Sequence, residues 1–157
     1  MKVCFDVNAL IYLYTNAPQQ LEVLTAYDVV ALRGFEACIP ACALADINYI
    51  LHHCGLRGEK LSWAMGALFE MFRVFDANEQ DGLAAFQSEM TDFEDALIAH
   101  SAKRNGVDAI LTYNTKDYVN SPVKALLPAD FVALFKPDNV SYAELEFEQQ
   151  ALGASPA

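Results

Sequence analysis

The sequence predicts an α/β fold with three layers, in which helices cover both faces of a mostly parallel central sheet. Short apolar runs rich in β-branched residues alternate along the chain with longer segments of helical periodicity. Continuous apolar runs of this kind are typical of strands that are buried on both faces. A regular alternation of strands and helices favours parallel strands, because each helix returns the chain to the starting edge of the sheet.

Apolar runs predict four strands, and a fifth is expected near the end of the domain. The strands are predicted at residues 2–7, 35–40, 73–77 and 108–113, and the last one at 123–135, interrupted at Pro128. The first strand ends at Asp6, and Asn8 then turns the chain into a short apolar helical stretch. In sheets of this class, ligands bind at the carboxyl ends of the strands. Polar residues that follow a strand are therefore the first candidates for a functional site.

Helices are predicted between the strands, at residues 19–34, 41–54, 59–72, 82–90 and 92–105. Gly34 ends the first of them and Gly106 follows the last, as glycine commonly does at a helix C-terminus. Thr91 is predicted to cap the last helix, with Glu94 at the third helical position completing a capping box.

The composition is that of one globular domain. The chain has 157 residues, 54% hydrophobic and 20% charged, and no apolar run reaches the roughly 18 residues of a membrane span. Asp6 and Asn8 interrupt the apolar N-terminus, so we interpret it as a buried strand and expect a cytoplasmic protein. The four cysteines are expected to be reduced, buried thiols, because their spacing matches no familiar zinc site. We divide the chain into a domain at 1–137 and an acidic, partly ordered C-terminal tail at 138–157.

The formal net charge of −11 restricts the partners that the chain can bind alone. Nucleic-acid binders usually carry a basic stripe, whereas this chain has ten Lys and Arg residues and no basic run longer than Lys103–Arg104. Three explanations remain open. The partner is not nucleic acid, or metal ions neutralise some of the acids, or a separate basic partner supplies the positive charge.

Five aspartates in four separate segments are the candidate functional residues. They are Asp6, Asp46, Asp92, Asp95 and Asp117. Asp6 ends the first strand and Asp117 follows the fourth, so a parallel sheet can bring them to the same edge. Mg²⁺ and Mn²⁺ prefer oxygen ligands, and adjacent carboxylates cannot all remain ionised without a cation between them. If the acids converge, we expect a divalent-metal site, which can activate water for phosphoryl chemistry.

Each acid also has a purely structural explanation. Asp6 can begin a turn, and Asp117 lies in a turn, where Asp is common. Asp92 and Asp95 occupy the first turn of a helix, where the helix dipole favours acids. Asp46 interrupts an apolar helix, so it is either exposed or a ligand, because an unpaired buried carboxylate is costly. The metal-site hypothesis rests on the arrangement of the acids across four segments rather than on any one of them.

Three segments carry a family resemblance. They are DVNALIYL near the N-terminus, LADINYIL in the middle and DFEDALIAHSAKRNGVDAILTYNTKDY later in the chain. Together they resemble the PIN-domain family over about residues 1–135, and in particular the VapC-like toxin ribonucleases of type II toxin–antitoxin systems. The resemblance implies a three-layer PIN-like fold and Mg²⁺- or Mn²⁺-dependent endonucleolytic cleavage of single-stranded RNA. It also implies a small antitoxin partner and a homodimer. The candidate interface residues, for which a core position is the alternative, are Tyr12, Tyr14, Trp63, Phe69 and Phe72.

The resemblance assigns roles to individual residues. The family's catalytic acids correspond to Asp6, Asp46, Asp95 and Asp117. The expected metal ligands are Asp6, Asp95 and Asp117, with Asp92 as a further ligand directly or through water. The polar residues that support the site correspond to Asn8, Thr112 and Asn114.

Two positions depart from the family pattern. Asp46 stands where the family usually has Glu, and Tyr113 stands where it has Arg. Together with the low basic content, these departures leave open a second hypothesis, a PIN-fold binding or regulatory module with weak or no nuclease activity. A phosphatase of the haloacid dehalogenase type is disfavoured, because it requires Asp at the position of Asn8.

Overall fold

Five parallel strands form the central sheet in the part of the chain that the structure describes. The structure is a computed structural model that describes residues 1–15 and 17–142. The strands are β1 (Lys2–Phe5), β2 (Glu36–Pro40), β3 (Arg73–Phe75), β4 (Ala109–Leu111) and β5 (Lys124–Leu126). Their order is β3-β2-β1-β4-β5, and every neighbouring pair is parallel. The predicted α/β fold with a parallel sheet is confirmed.

Helices connect the first four strands, whereas turns join β4 to β5. The helices are α1 (Val7–Tyr12), α2 (Gln20–Leu32), α3 (Leu44–His53), α4 (Glu59–Met71), α5 (Glu79–Phe86), α6 (Phe93–Arg104) and α7 (Pro128–Phe135). A 3₁₀ turn at Ala41–Ala43 precedes α3. Of the helices described, none is both long and apolar enough to cross a membrane. Most of the tail predicted at 138–157, from residue 143 onward, lies outside the described residues.

The central strand β1 is buried because its side chains are apolar on both faces of the sheet. Val3, Cys4 and Phe5 are fully buried. The ring of Phe5 packs edge-on against Phe72, with 5.1 Å between the ring centroids. Phe72 therefore belongs to the core, whereas two other candidate interface aromatics, Trp63 and Phe69, are exposed.

The four cysteines are free thiols, but they do not share one environment. Cys4 and Cys38 are buried, Cys42 is half-buried and Cys54 is exposed. The prediction of a buried thiol is therefore wrong for Cys54, because the residue is the C-cap of α3 and lies beyond its buried residues Ile47 and Leu51.

The strand order places the carboxyl ends of β1 and β4 side by side at the centre of the sheet. The chain passes from β1 to β2 on one side, whereas β4 lies on the other side of β1. Connections that leave neighbouring strands in opposite directions open a crevice at the carboxyl ends of those strands. The topology therefore favours a site between the ends of β1 and β4.

The end of the domain differs from the prediction of one interrupted strand at 123–135. β5 ends at Leu126, and Pro128 begins the helix α7. Proline suits the first turn of a helix, because its fixed φ is helical and the N–H that it lacks would have no partner there. Phe131 of α7 is fully buried. The apolar run after Pro128 is thus the buried face of a helix.

The helix predicted at 82–90 begins earlier in the structure, because Asn78 caps it. Asn78 Oδ1 accepts a hydrogen bond from the backbone N–H of Asp81 at 3.2 Å, and Asp81 Oδ2 accepts one from the backbone N–H of Asn78 at 2.8 Å. Asp81 also accepts hydrogen bonds from Arg104 of α6, from Nε at 2.9 Å and from the terminal guanidinium nitrogen at 2.8 Å. One carboxylate therefore caps α5 and joins it to α6.

Replacing Asp81 by Asn should lower the midpoint of thermal unfolding by roughly 5 °C. The amide keeps the size of the side chain, but it loses the charge and one of the two oxygens that receive the Arg104 guanidinium. A matched control is Asp76→Asn, which removes an acid that contacts the same Arg104 at 3.2 Å from a side chain that is 67% exposed. Thermal unfolding followed by circular dichroism should show a smaller effect for the control. Equal effects would contradict a special role for the buried carboxylate.

Candidate active site

Asp6 lies at the carboxyl end of β1 and caps α1. Its Oδ1 accepts a hydrogen bond from the backbone N–H of Val7 at 2.7 Å. Its Oδ2 accepts hydrogen bonds from Asn8 Nδ2 and Thr112 Oγ1, both at 2.7 Å. The residue is only 2% exposed. A carboxylate has about four positions at which it can accept a hydrogen bond. Three are used here, so Asp6 is held rigidly and retains capacity for one more contact.

Thr112 links the ends of β1 and β4 through its hydroxyl group. The residue is fully buried and directly follows β4. Because its single proton is donated to Asp6, the oxygen accepts from Asn8 Nδ2 at 3.0 Å and from the backbone N–H of Asn114 at 2.9 Å. Asn8 Oδ1 in turn accepts from the backbone N–H of Tyr113 at 2.9 Å. The structure thus brings the predicted supporting residues Asn8 and Thr112 together around Asp6.

Asn114 connects this network to Asp117. Its side-chain amide donates a hydrogen bond to Asp117 Oδ2. The backbone N–H of Asp117 donates to the carbonyl of Asn114 at 3.1 Å. The turn after β4 therefore carries Asp117 to the same edge of the sheet as Asp6.

The start of α6 brings further acids, and its cap differs from the prediction. The helix begins at Phe93, and Asp92 is the N-cap residue. Asp92 Oδ1 accepts hydrogen bonds from the backbone N–H groups of Glu94 at 2.8 Å and Asp95 at 3.1 Å. The predicted capping box of Thr91 and Glu94 is therefore wrong, because Asp92 satisfies these helix donors itself.

Residues from the end of β1, from α1 and α3, from the start of α6 and from the turn after β4 line one pocket of about 240 Å³. Its acidic lining residues are Asp6, Asp92, Glu94, Asp95 and Asp117. Asn8 and Asn114 add side-chain amides, and no Lys or Arg is among the described residues that line it. Four of the five predicted acids therefore face a common space.

The carboxyl groups of this pocket are difficult to ionise together. Burial raises the pKa of Asp95 to about 7, and the negative charge of Asp6 adds to the rise, followed by those of Asp92 and Asp117. Burial also raises the pKa of Asp6, although hydrogen bonds from Thr112 and Val7 lower it. The pKa of Glu94 is raised by burial and then by the charge of Asp46. Carboxylates that share a site without a neutralising cation are expected to behave in this way.

The sequence suggested Asp46 as one of the acids of the site, but the structure places Glu94 in the pocket lining instead. Asp46 is exposed in the first turn of α3 and does not line the pocket. It lies one helical turn before Ile50, which does line it, and its charge acts on Glu94. Asp46 is therefore near the edge of the pocket, and Glu94 is the acid that sequence reasoning missed. The signal is its place in the acidic run DFED, although the predicted capping box assigns Glu94 to the helix N-terminus.

Tyr113, where the family pattern has Arg, turns away from the pocket. Its hydroxyl donates a hydrogen bond to the carboxylate of Glu22 on α2 at 2.9 Å. Its ring packs edge-on against Tyr12, with 5.1 Å between the ring centroids. The side chain thus joins the end of β4 to α1 and α2.

The polar side chains of the pocket offer carboxylate and amide oxygens, which are the type of ligand that a hard divalent cation prefers. Among the described residues, no group of three or more His, Cys, Asp or Glu side chains is placed closely enough to hold a metal ion. Mg²⁺ usually keeps several water ligands and needs only one or two carboxylates. The carboxylates that line the pocket are those of Asp6, Asp95 and Asp117, with Asp92 and Glu94 beside them.

Comparison with known proteins identifies the family and the fold. The family model of the PIN domain matches residues 2–116. No curated protein matches the sequence. VapBC2 from Rickettsia felis, solved bound to a DNA fragment from their promoter, has 15% identity and a TM-score of 0.66, covering 81% of this chain and 98% of that chain. A toxin–antitoxin complex from Klebsiella pneumoniae has 20% identity and a TM-score of 0.60, covering 80% and 97%. VapC20 from Mycobacterium tuberculosis, a toxin that cleaves the sarcin–ricin loop, has 12% identity and a TM-score of 0.59, covering 78% and 98%.

The family match and the fold agree with each other. At these identities the solved structures show a shared fold, and the sequence match supplies the family. The matched range contains Asp6 and Asp95 and ends one residue before Asp117. Because it spans most of the chain, this protein belongs to the PIN-domain family.

Proposed function

We propose that this protein is a divalent-metal-dependent endoribonuclease that cleaves single-stranded RNA. The observation that carries the proposal is the pocket at the ends of β1 and β4, where five carboxyl groups face one space and no described Lys or Arg lines it. A site of this charge repels the phosphates of RNA unless cations are present. RNA affinity should therefore depend strongly on the metal. The PIN-domain resemblance implies the same activity.

In this proposal, Asp6, Asp95 and Asp117 hold Mg²⁺ or Mn²⁺, and Asp92 contributes directly or through water. When bound, a divalent cation supplies a Lewis acid that polarises a phosphoryl oxygen and lowers the pKa of water. Glu94 completes the acidic wall at the place that the sequence suggested for Asp46. Asp46 lies at the edge of the pocket in this proposal, so it acts on the substrate or the cation only indirectly, through Glu94 or a water molecule.

Hydrogen bonds within the chain orient the acids of the site. Thr112 and Asn8 fix the direction of the Asp6 carboxylate, and both bonds measure 2.7 Å. Asn114 fixes Asp117 in the same way. Such support matters because a site whose ligands are held in advance loses less free energy on binding.

We further propose that the protein is the toxin of a toxin–antitoxin pair in the cytoplasm, and that it forms a homodimer. The likeness to the toxin–antitoxin complex from Klebsiella pneumoniae supports a protein partner. A basic side chain of an antitoxin would suit the acidic pocket, where it would take the place of the cation. For the homodimer, Trp63 and Phe69 offer exposed aromatic surface, at 71% and 57% exposure.

The alternative is a PIN-fold module that binds a partner without cleaving RNA. Two observations favour it: Asp46 lies outside the pocket lining, and Tyr113 is bonded to Glu22 instead of facing the pocket. A nuclease assay separates the two functions, because the module needs no metal-dependent chemistry.

The test is an assay of the full chain with a diverse pool of single-stranded RNA at millimolar Mn²⁺ or Mg²⁺. We expect endonucleolytic cleavage, with loss of activity to the background level on addition of EDTA and recovery when Mn²⁺ is restored in excess. The variant Asp138→Asn, which changes an exposed acid outside the pocket, should cleave like the wild type. An absence of cleavage of any RNA at millimolar Mn²⁺ would rule out the enzyme and favour the binding module.

A further inference from the structure

Tyr118, the residue after Asp117, has a buried hydroxyl group beside the acidic pocket. The residue is 4% exposed. Its hydroxyl is one of three buried side-chain oxygens without a hydrogen-bond partner among the described residues. The carboxyl groups of Asp6 and Asp95 are its neighbours: burial raises the pKa of both acids, and the Tyr118 hydroxyl acts on both in the opposite direction. The buried hydroxyl therefore lies close to the two acids that are central to the site.

A buried hydroxyl without a partner destabilises the fold, because it has lost its hydrogen bonds to water. Packing alone does not explain it, since a phenyl ring would fill the same space without an unpaired polar atom. Such a group in a native structure calls for an explanation, and a partner that arrives with a ligand is one of them.

Asp95 is the better acceptor of the two acids. Asp6 already receives hydrogen bonds from Val7, Asn8 and Thr112. Among residues 1–15 and 17–142, no donor contacts the carboxylate of Asp95 at an ordinary hydrogen-bond length and angle, and the Tyr118 hydroxyl is the donor close enough to lower its pKa. A metal-bound carboxylate is usually oriented by a hydrogen bond to the oxygen that does not contact the metal. In the described part of the chain, Tyr118 is the donor placed to do this for Asp95.

We propose that Tyr118 is a positioning residue of the acidic site, whose hydroxyl donates a hydrogen bond to Asp95 when a divalent cation is bound. The inference rests on the proposed metal-dependent function. It assigns Tyr118 no contact with the substrate or the cation. Its effect is to fix one Asp95 oxygen, so that the other points into the pocket.

The experiment is a calorimetric titration of the metal-free full chain with Mn²⁺, comparing the wild type with Tyr118→Phe. Loss of the hydroxyl should raise the Kd for Mn²⁺ about tenfold, which is at the low end of the effects on metal affinity seen when residues that orient metal ligands are replaced. Thermal unfolding without metal should show no loss of stability in the variant. The metal-free variant should be at least as stable as the wild type, because an unpaired buried hydroxyl is gone. Mn²⁺ should then stabilise the variant less than it stabilises the wild type.

Tyr14→Phe is the matched control. The Tyr14 hydroxyl is also buried without a described partner, but Tyr14 lines a separate apolar cavity of about 850 Å³ beside Trp63 and Leu24. This variant should leave the Kd for Mn²⁺ unchanged.

Three outcomes would overturn the inference. An unchanged Kd in Tyr118→Phe, or an equal change in Tyr14→Phe, would show that the Tyr118 hydroxyl does not act on the metal site. Failure of the wild type to bind Mn²⁺ would overturn the inference together with the proposed metal dependence. The two proposals remain distinguishable, because the titration contains no RNA: binding of Mn²⁺ that responds to Tyr118→Phe, without any RNA cleavage, would reject the nuclease and retain the positioning role.

Discussion

The variant Asp95→Asn should lose RNA cleavage by a factor on the order of 1,000, because it removes a ligand charge from the centre of the acidic pocket. Asp95 is the carboxyl group whose pKa responds to Asp6, Asp92 and Asp117 together. It therefore lies where these charges converge, and an amide there cannot balance a divalent cation. The measurement is the cleavage rate on single-stranded RNA at saturating Mn²⁺.

The same variant should become more stable than the wild type when no metal is present. The pKa of Asp95 rises from 3.8 to about 7 on folding, so the folded protein holds a proton that the unfolded chain has already released. The protonated Asp95 carboxyl contributes to the free energy of unfolding. This contribution is complete below pH 3.8 and is lost as the pH rises through about 7. At about pH 8 the metal-free variant should unfold a few degrees above the wild type, and at about pH 5 the difference should shrink.

Excess Mn²⁺ should reverse this order at the higher pH, because it stabilises the folded wild type by binding and the variant much less. The control is Asp138→Asn, whose residue is exposed and does not line the pocket. A variant at position 95 that cleaves RNA at the wild-type rate, or that is destabilised without metal, would contradict the role given to Asp95.

The central strand of the sheet could be predicted from the sequence because it is buried on both faces. β1 lies between two neighbouring strands, so its buried positions require apolar residues, and Val3, Cys4 and Phe5 before Asp6 meet this requirement. The edge of the sheet is less constrained. β5 is short and partly exposed, and the apolar residues after Pro128 suit a strand or a helix equally well by composition. The decisive signal there was proline at the first turn of a helix.

The site could be predicted to the extent that it depends on topology. A parallel sheet brings Asp6 and Asp117 to one edge whatever the details of the loops. Glu94 and Asp46 depend on a finer quantity, the residue at which each helix begins. In the predicted capping box, the Glu94 side chain would bond back to the backbone of Thr91. Because Asp92 is the cap instead, the Glu94 side chain lines the pocket. Capping signals place the start of a helix only to within one or two residues.

The hydroxyl of Thr112 should be the most important single hydrogen-bonding group that supports the site. In Thr112→Val the shape is kept, but Asp6 loses a donor, and Asn8 and the backbone N–H of Asn114 lose an acceptor. These groups are buried or partly buried, so we expect the free energy of unfolding to fall by about 3 kcal/mol. The affinity for Mn²⁺ should fall about 10- to 100-fold, because the Asp6 carboxylate is no longer held. Chemical denaturation and calorimetric titration measure the two effects.

Two controls separate the hydroxyl from the packing around it. Thr112→Ser keeps the hydroxyl and loses a methyl group, so Mn²⁺ affinity should stay close to that of the wild type although some stability is lost. Thr25→Val removes another buried hydroxyl, which donates to the carbonyl of Leu21 on α2 at 2.8 Å and does not line the acidic pocket. It should cost less stability, because one hydrogen bond is lost instead of three, and Mn²⁺ affinity should not change. If Thr112→Ser lowered Mn²⁺ affinity as much as Thr112→Val, the methyl group would be the relevant feature, and the network around Asp6 would not be what orients it.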